Sequence, residues 1–324
     1  MIISKTPFRI PFAGGGTDLE FYYKKKGSTF YSLAIDQYVY VLLSKRFIDK
    51  RYFIQTTSTQ FTGNLNHINH KLIRETIKYF NIKYPLHVGT YTTVPTLTGL
   101  GSSSSLVIGL INCILKLKKI YMSDKKIISI AYEIERKICG YAGGWQDQII
   151  SQVGGFIKVD LNKKGKIKIK KFKKNKQLVN LVNKNLMLVY TKQKRQSAKI
   201  ILSQKKNLQN VIKKYDLIKS LTKKIPFILK AINPEQIAYL FTNHWNIKKK
   251  LSNQMTNKQI DNLYNFLIKN CNFIGGKLIG AGGGGFFLMI TKNKKKTIKP
   301  LKKNGINYLN FKIDYAGSRI LKNV

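Results

Sequence analysis

The sequence predicts a two-domain α/β protein. Three observations lead there. Its 324 residues exceed the usual size of a single core. Hydrophobic residues make up 43% and aromatics 11%, enough apolar surface to offset the entropy of ordering the chain. Stretches that alternate with period two are interleaved with stretches of helical period, the pattern of sheets covered by helices.

In order along the chain, FRIPF reads as a strand running into the glycine loop of residues 8–18. Residues 29–43 (TFYSLAIDQYVYVLL) and 52–57 read as further strands, rich in aromatic and β-branched residues, and a helix is expected over 68–80. The alternating LHVGTYTTV, 86–94, is followed by a loop holding Pro95 and Gly99, then by a broadly apolar and therefore buried helix over 104–118. A helix over 124–139 has Ser123 at its N-cap. Glycine turns at 140–144 and 154–155 bracket a short helical stretch. The hairpin FIKVDL, NKKG, KIKIKKF presents its lysines to solvent. After a polar stretch, a strand begins at Leu186 (LMLVY), amphipathic helices follow near 196–222, 234–250 and 256–270, and KLIG, FFLMI and NYLNFKI close the chain as strands. The expected boundary divides the chain into domains 1–184 and 185–324.

Lys and Arg number 59 against 14 Asp and Glu, a formal charge of +45. Such a field attracts polyanions whatever the protein's role. Only seven of the basic residues are Arg, and the lysines are scattered through turns and polar faces, so a dedicated nucleic-acid reader is not indicated. The three cysteines are far apart, without a Cys-x-x-Cys pair, which argues against a disulfide framework or a zinc site and fits a reducing, cytoplasmic compartment. The first residues lack the apolar stretch of a signal peptide, and the longest apolar run, 106–115, is too short to cross a bilayer.

Three glycine clusters and two carboxylates carry the chemistry. GLGSSSS, 99–105, joins a strand-like run to a helix, so backbone N–H groups and hydroxyls can meet phosphate; a serine-capped turn is the plain alternative. LIGAGGGGFFLMI, 278–290, contains Gly-x-Gly-x-x-Gly, but no helix follows, which excludes a dinucleotide fingerprint and leaves either close approach to a ligand or a tight β-turn. In FRIPFAGGGTD, Arg9 and Asp18 are suited to bracket a polar ligand. On the helix 124–139, Glu133 belongs to the solvated face, whereas Glu135 borders the apolar stripe and requires a cation there, magnesium or a buried Arg or Lys. Asp147 opens a short helix, where it can accept a proton from a hydroxyl or serve the helix dipole. No P-loop, protein-kinase, serine-hydrolase or zincin motif is present.

Together FRIPFAGGGTD, PTLTGLGSSSS and KLIGAGGGGFF resemble, in order and spacing, the three motifs of the GHMP small-molecule kinase superfamily. AGGGTDL, GGWQDQ and GGKLIGAGGGG are most similar to its bacterial heptose-phosphate kinases, with support from YTKQKRQSAKIIL and NHWNIKKKLS. The resemblance implies an N-terminal domain with a left-handed βαβ crossover, a ferredoxin-like C-terminal domain, and an active site between them. It implies ATP and Mg2+ as cofactors. Gly99, Gly101, Ser102, Ser103 and Ser104 would hold the ATP phosphates, and Ser103 and Glu135 the magnesium. Asp147 would take the acceptor's proton, assisted by Arg9, while Asp18, Gly15, Gly16, Gly282 and Gly283 would contact the acceptor. Trp145 stands where the heptose branch often has Lys, so Arg195, with Lys192 or Lys194, is expected to hold a phosphate on the acceptor. The implied reaction phosphorylates the anomeric hydroxyl of a heptose 7-phosphate to the 1,7-bisphosphate for nucleotide-sugar synthesis. A kinase of free fucose or galactose, or a basic nucleic-acid-binding protein on a degenerate kinase scaffold, are the competing readings. The expected partner is a small-molecule sugar or sugar phosphate, with no specific nucleic acid and no membrane, and the chain is a monomer or homodimer.

Overall fold

The computed structural model describes residues 1–193, 197–204 and 207–323. The chain begins with strand β1 (Ile2–Ala13), helix α1 (Glu20–Lys26), strands β2 (Ser28–Lys45), β3 (Tyr52–Gln55) and β4 (Thr59–Thr62), helix α2 (Lys71–Tyr79) and strand β5 (Leu86–Thr92). Helices α3 (Ser102–Leu117), α4 (Asp124–Tyr132) and α5 (Gln146–Val153) follow, then the hairpin β6 (Phe156–Leu161) and β7 (Ile167–Lys171). Helix α6 (Lys176–Asn185) leads to β8 (Leu186–Tyr190) and a helical run of α7 (Ser197–Gln204), α8 (Leu208–Leu221), α9 (Ile225–Lys230), α10 (Pro234–Lys249) and α11 (Lys258–Asn270). The chain ends with β9 (Phe273–Leu278), β10 (Phe286–Thr291), α12 (Lys294–Lys303), β11 (Tyr308–Leu309) and β12 (Arg319–Asn323).

The first sheet runs β12-β1-β2-β5-β3-β4. Its backbone is the 18-residue β2, which pairs β1 along its length, β6 through its first half (Ser28–Leu33) and β5 through its second (Val39–Lys45). The strands β3 and β5 run parallel, while the other pairings are antiparallel. The second sheet has the order β11-β8-β10-β9, which in chain order is 4-1-3-2 with helices between first and second and between third and fourth strands, the ferredoxin-like βαββαβ arrangement. Residues 319–323 return from the end of the chain to the first sheet, where they pair antiparallel with β1.

Helix α3 is buried because it is apolar nearly all round; Val107, Ile108, Leu110, Ile111 and Ile114 have no exposed surface. A second cluster built on Trp245, Phe287 and Met289 fills the other lobe. Phe12 at the end of β1 meets Phe156 and Phe241 edge-on at 5.3 and 5.2 Å, joining the two.

Two helices lie where the sequence reads as polar. In α6, Leu178, Leu181 and Val182 are buried at helical spacing among Lys and Asn, and the Asn175 side chain caps the N-terminus by accepting from Gln177 and Leu178. The equally Lys-rich α12 buries Thr297 and Leu301, with Asn293 as its cap. NYLNFKI yields only the two-residue β11. The helix expected over 124–139 stops being α-helical at Tyr132 and continues as a π-helical turn, Glu133–Ile138, and Ser123 makes no side-chain cap bond.

Candidate active site

A cavity of about 490 Å³ opens between the two lobes. From the first lobe it is lined by Arg9, Gly15, Gly16 and Asp18, by Gly99, Gly101, Ser102 and Ser103, and by residues 140–144, 146 and 147. From the second lobe come residues of α7, α8, α10 and β9, among them His244, Lys248 and Lys277.

Helix α3 aims its N-terminus into this space. Gly101 takes the left-handed conformation (φ 87°, ψ 30°) at the N-cap, and its carbonyl accepts the first helical bond from Ser105 N–H. The N–H groups of the first turn are then without intrahelical partners and, with the dipole of a 16-residue helix, form an anion site. A Cβ on Gly101 would sit 3.4 Å from both Arg9 and the Asp147 carboxylate, so glycine also lets the turn lie against them.

Arg9 and Asp147 are joined as a fork: Nε donates to Oδ1 at 2.6 Å and Nη2 to Oδ2 at 2.8 Å. Arg9 Nη1 donates to the Gly99 carbonyl at 2.6 Å. One guanidinium thus fixes the carboxylate and the phosphate loop relative to each other. Asp18 is buried; its carboxylate accepts from Gly16 N–H at 3.2 Å and Gln146 N–H at 2.9 Å. Burial, with the neighbouring Asp147 charge, pushes the Asp18 carboxyl above the usual range, against the opposing pull of the Gln146 N–H. The Gln146 side-chain amide nitrogen is buried at the cavity wall without a hydrogen-bond partner.

Glu135 has no exposed surface, while Glu133 is exposed. The Glu135 carboxylate accepts from Ser103 Oγ and Ser104 Oγ, both at 2.5 Å, and from Gln148 Nε2 at 2.6 Å; Arg136 Nη1 lies 3.2 Å from Oε1. The cation beside it is therefore Arg136, one of the two alternatives open in the sequence. Arg136 also donates to the carbonyls of Tyr141, Ala142 and Gly144, holding the glycine loop over the cavity. Ser104 is fully buried and does not line the cavity: it supports Glu135 rather than facing the space where phosphates would lie.

Gly282 and Gly283, expected at the acceptor, do not line the cavity. A Cβ at Gly282 would meet the Met255 sulfur at 2.6 Å and one at Gly283 the end of the Ile200 side chain at the same distance, and both glycines take positive φ, 112° and 69°; the neighbouring Gly280 and Ala281 face the cavity. Trp145 stacks on Tyr132 with ring centres 3.6 Å apart and is outside the cavity lining. Arg195 and Lys194 lie outside the described residues. His244, Lys248 and Lys277 were missed by the motif reading. Their signals were a His and a Lys four apart on one helix face, and a lone Lys in the middle of an apolar strand, FIGGKL.

A fold of this topology, with a helix N-terminus facing a carboxylate–arginine fork across an interlobe cavity, defines a phosphotransferase acting on a small alcohol. Residues 69–155 match the model of the GHMP kinases N terminal domain, and the chain is a phosphotransferase similar to kinases of the GHMP type. Kinases of this family take the phosphate from ATP. The chain is 28% identical over 320 residues to D-glycero-alpha-D-manno-heptose 7-phosphate kinase of Campylobacter jejuni, covering 93% of each chain. It is 27% identical over 242 residues to mevalonate kinase of Methanocaldococcus jannaschii, covering 74% of this chain and 73% of that one. Among solved structures, a D-glycero-D-manno-heptose 1-phosphate kinase from Bacteroides thetaiotaomicron superposes with a TM-score of 0.83 over all of both chains at 21% identity, which shows a shared fold. Among the described residues, no helix is long and apolar enough to cross a membrane.

Proposed function

We propose that the protein transfers the γ-phosphate of ATP to the anomeric hydroxyl of D-glycero-D-manno-heptose 7-phosphate in a reducing cytoplasm, giving the 1,7-bisphosphate for nucleotide-sugar synthesis. The observation that carries this is the Arg9–Asp147 fork set against the Gly99–Gly101 turn: one cation ties the proton-accepting group to the phosphate loop. The similarity along nearly the whole chain to the Campylobacter heptose 7-phosphate kinase supports the choice of acceptor.

In this mechanism the acceptor hydroxyl sits between Asp147 and the N-terminus of α3. Asp147 accepts its proton as the bond to phosphorus forms; because phosphoryl transfer passes through a loose transition state, alignment matters more than base strength. The α3 N–H groups and the Ser102 and Ser103 hydroxyls hold the transferring group. Asp18 and the Gln146 side chain offer partners for the acceptor's other hydroxyls. Magnesium fits the donor chemistry. Ser103 lines the cavity and its hydroxyl touches Glu135, which is buried behind it and outside the lining; magnesium would be held at the Ser103 oxygen with Glu135 adjoining, and since no cluster of three or more His, Cys, Asp or Glu exists among the described residues, the remaining ligands would be phosphate and water oxygens. When bound, the ion supplies positive charge against the phosphates. The residues 1–184 and 185–324 act as the two domains whose junction forms the cavity.

The test is ADP release with ATP and magnesium on heptose 7-phosphate, mannose, fucose, galactose and mevalonate. Turnover on heptose 7-phosphate that disappears in Asp147→Ala is expected. Turnover confined to a free hexose or to mevalonate would discard the heptose assignment.

A further inference from the structure

The second lobe contributes a basic wall to the cavity that the transfer chemistry does not use. Lys277 on β9 is only 1% exposed, and His244 and Lys248 on α10 are 4% and 8% exposed, yet all three line the cavity. The Lys277 ammonium donates to the Phe12 carbonyl at 2.7 Å, lies 3.4 Å from His244 Nδ1 and 4.9 Å from the centre of the Phe241 ring. None of these contacts is a carboxylate. A buried ammonium of this kind is costly, and its desolvation lowers the lysine to about 7. His244 is pushed well below its ordinary value by burial and by Lys277 and Lys248, so its neutral ring can present Nδ1 to the ammonium. Lys248 donates to the carbonyls of Leu278 and Gly280 at 3.0 and 2.6 Å.

The position of this wall is informative. Asp18, Asp147 and the unpartnered Gln146 amide, groups suited to hydroxyls, belong to the first lobe. Lys277 is tied to β1 at Phe12, three residues beyond Arg9, a separation of about 10 Å along a strand. The first lobe's cavity cations, Arg9 and Arg136, are each paired with a carboxylate, Asp147 and Glu135, whereas Lys277 has no carboxylate beside it; the cavity can thus receive an acceptor with a polyol body and a terminal anion.

We propose that Lys277, with Lys248 beside it, binds the phosphate monoester already carried by the acceptor, and that His244 positions the Lys277 ammonium. This inference rests on the sugar-phosphate reading above, and it moves the phosphate-binding role from Arg195 to the second lobe's β9 and α10. An ammonium has three donors; with the Phe12 carbonyl and His244 Nδ1 taking two, the third is left for a phosphate oxygen. A phosphate there also offsets the cost of the buried charge, which makes the anion part of the site's electrostatic balance.

The experiment compares wild type, Lys277→Met, His244→Gln and Arg195→Ala on heptose 7-phosphate and on the same heptose without phosphate, measuring kcat and KM for acceptor and for ATP. A parallel thermal-shift titration uses mannose 6-phosphate and mannose as probes. Lys277→Met is expected to raise KM for heptose 7-phosphate at least tenfold while kcat, KM for ATP and KM for the unphosphorylated heptose stay within threefold. The mannose 6-phosphate shift should disappear in the same variant. His244→Gln should raise KM for heptose 7-phosphate by a smaller factor. Equal losses on both acceptors, a rise in KM for ATP instead, or the selective loss in Arg195→Ala alone would each overturn the proposal. If the wild type turns over no sugar phosphate, the function reading fails; if it does and Lys277→Met keeps its KM, this inference alone fails.

Discussion

Glu135→Gln separates a carboxylate that holds the fold from one that also serves the nucleotide. The native carboxylate accepts Ser103 Oγ on Oε1 and Ser104 Oγ and Gln148 Nε2 on Oε2, and the Arg136 guanidinium forms an ion pair 3.2 Å from Oε1. Glutamine keeps one oxygen and turns the other into a donor. The serine hydroxyls can rotate to accept from the new amide, but Arg136 and Gln148 cannot both find an acceptor. One hydrogen bond to a charged group is lost, about 1.5–3 kcal/mol, and the Arg136 charge loses its buried counter-ion. A net loss of about 3 kcal/mol is expected, which for a chain of this length lowers the melting temperature by about 4 °C. Differential scanning fluorimetry without ligand measures this term, and a magnesium titration of ADP release at saturating acceptor measures the other. The variant should need more than tenfold more magnesium for half-maximal rate. A melting temperature within 1 °C of wild type would refute the hydrogen-bond reasoning, and an unchanged magnesium requirement would reduce Glu135 to a brace for Ser103 and Arg136.

Arg9→Lys keeps a positive charge but cannot span both Asp147 oxygens and the Gly99 carbonyl; kcat should fall by about 100-fold with little change in melting temperature, and a fall under threefold would deny the fork its role. Gly144→Ala would place a Cβ 2.1 Å from Asp18 Oδ2, so it should raise acceptor KM and lower the melting temperature, while KM for ATP is retained; unchanged acceptor kinetics would refute it. Lys277, lowered to about 7 from 10.5, makes the unfolded chain bind one more proton between those values. Its destabilising effect is fully present below pH 7 and fades as pH rises toward 10.5, with a slope of up to about 1.4 kcal/mol per pH unit. Without ligand, the melting temperature of wild type relative to Lys277→Met should therefore climb between pH 7 and 9; parallel curves would contradict the burial of its charge.

How legible these features were depended on whether their cause was local. Glu135 could be told from Glu133 because a helical stripe assigns faces, and even the π-helical turn left Glu135 inside. The partner Arg136 could not be assigned, since the widened turn changes which residues share a face. The 99–105 loop was readable because a glycine before a run of hydroxyls at a helix start has a local physical purpose. At 282–283 the same logic does not decide: a missing side chain makes equal room for a ligand or for Met255 and Ile200, and nothing near the glycines in sequence distinguishes them. The α6 and α12 stripes were masked by a composition in which lysine and asparagine fill every solvent position. Lys277 carried a visible signal, a charge within an apolar strand, but its meaning came only when folding placed it beside Phe12, 265 positions away.

The pairing of β1 with residues 319–323 has a consequence for how the protein is made. Until β12 has been made, the edge of β1 at Ile2–Lys5 is an open row of backbone donors and acceptors, the surface on which chains pair wrongly. The N-terminal sheet can then collapse early but be sealed only once residues 319–323 have been made, so a nascent chain paused anywhere in the second lobe carries an unfinished first one. A truncation before Arg319 would accordingly be expected to drive the protein into insoluble material in the cell even though it spares every residue of the cavity.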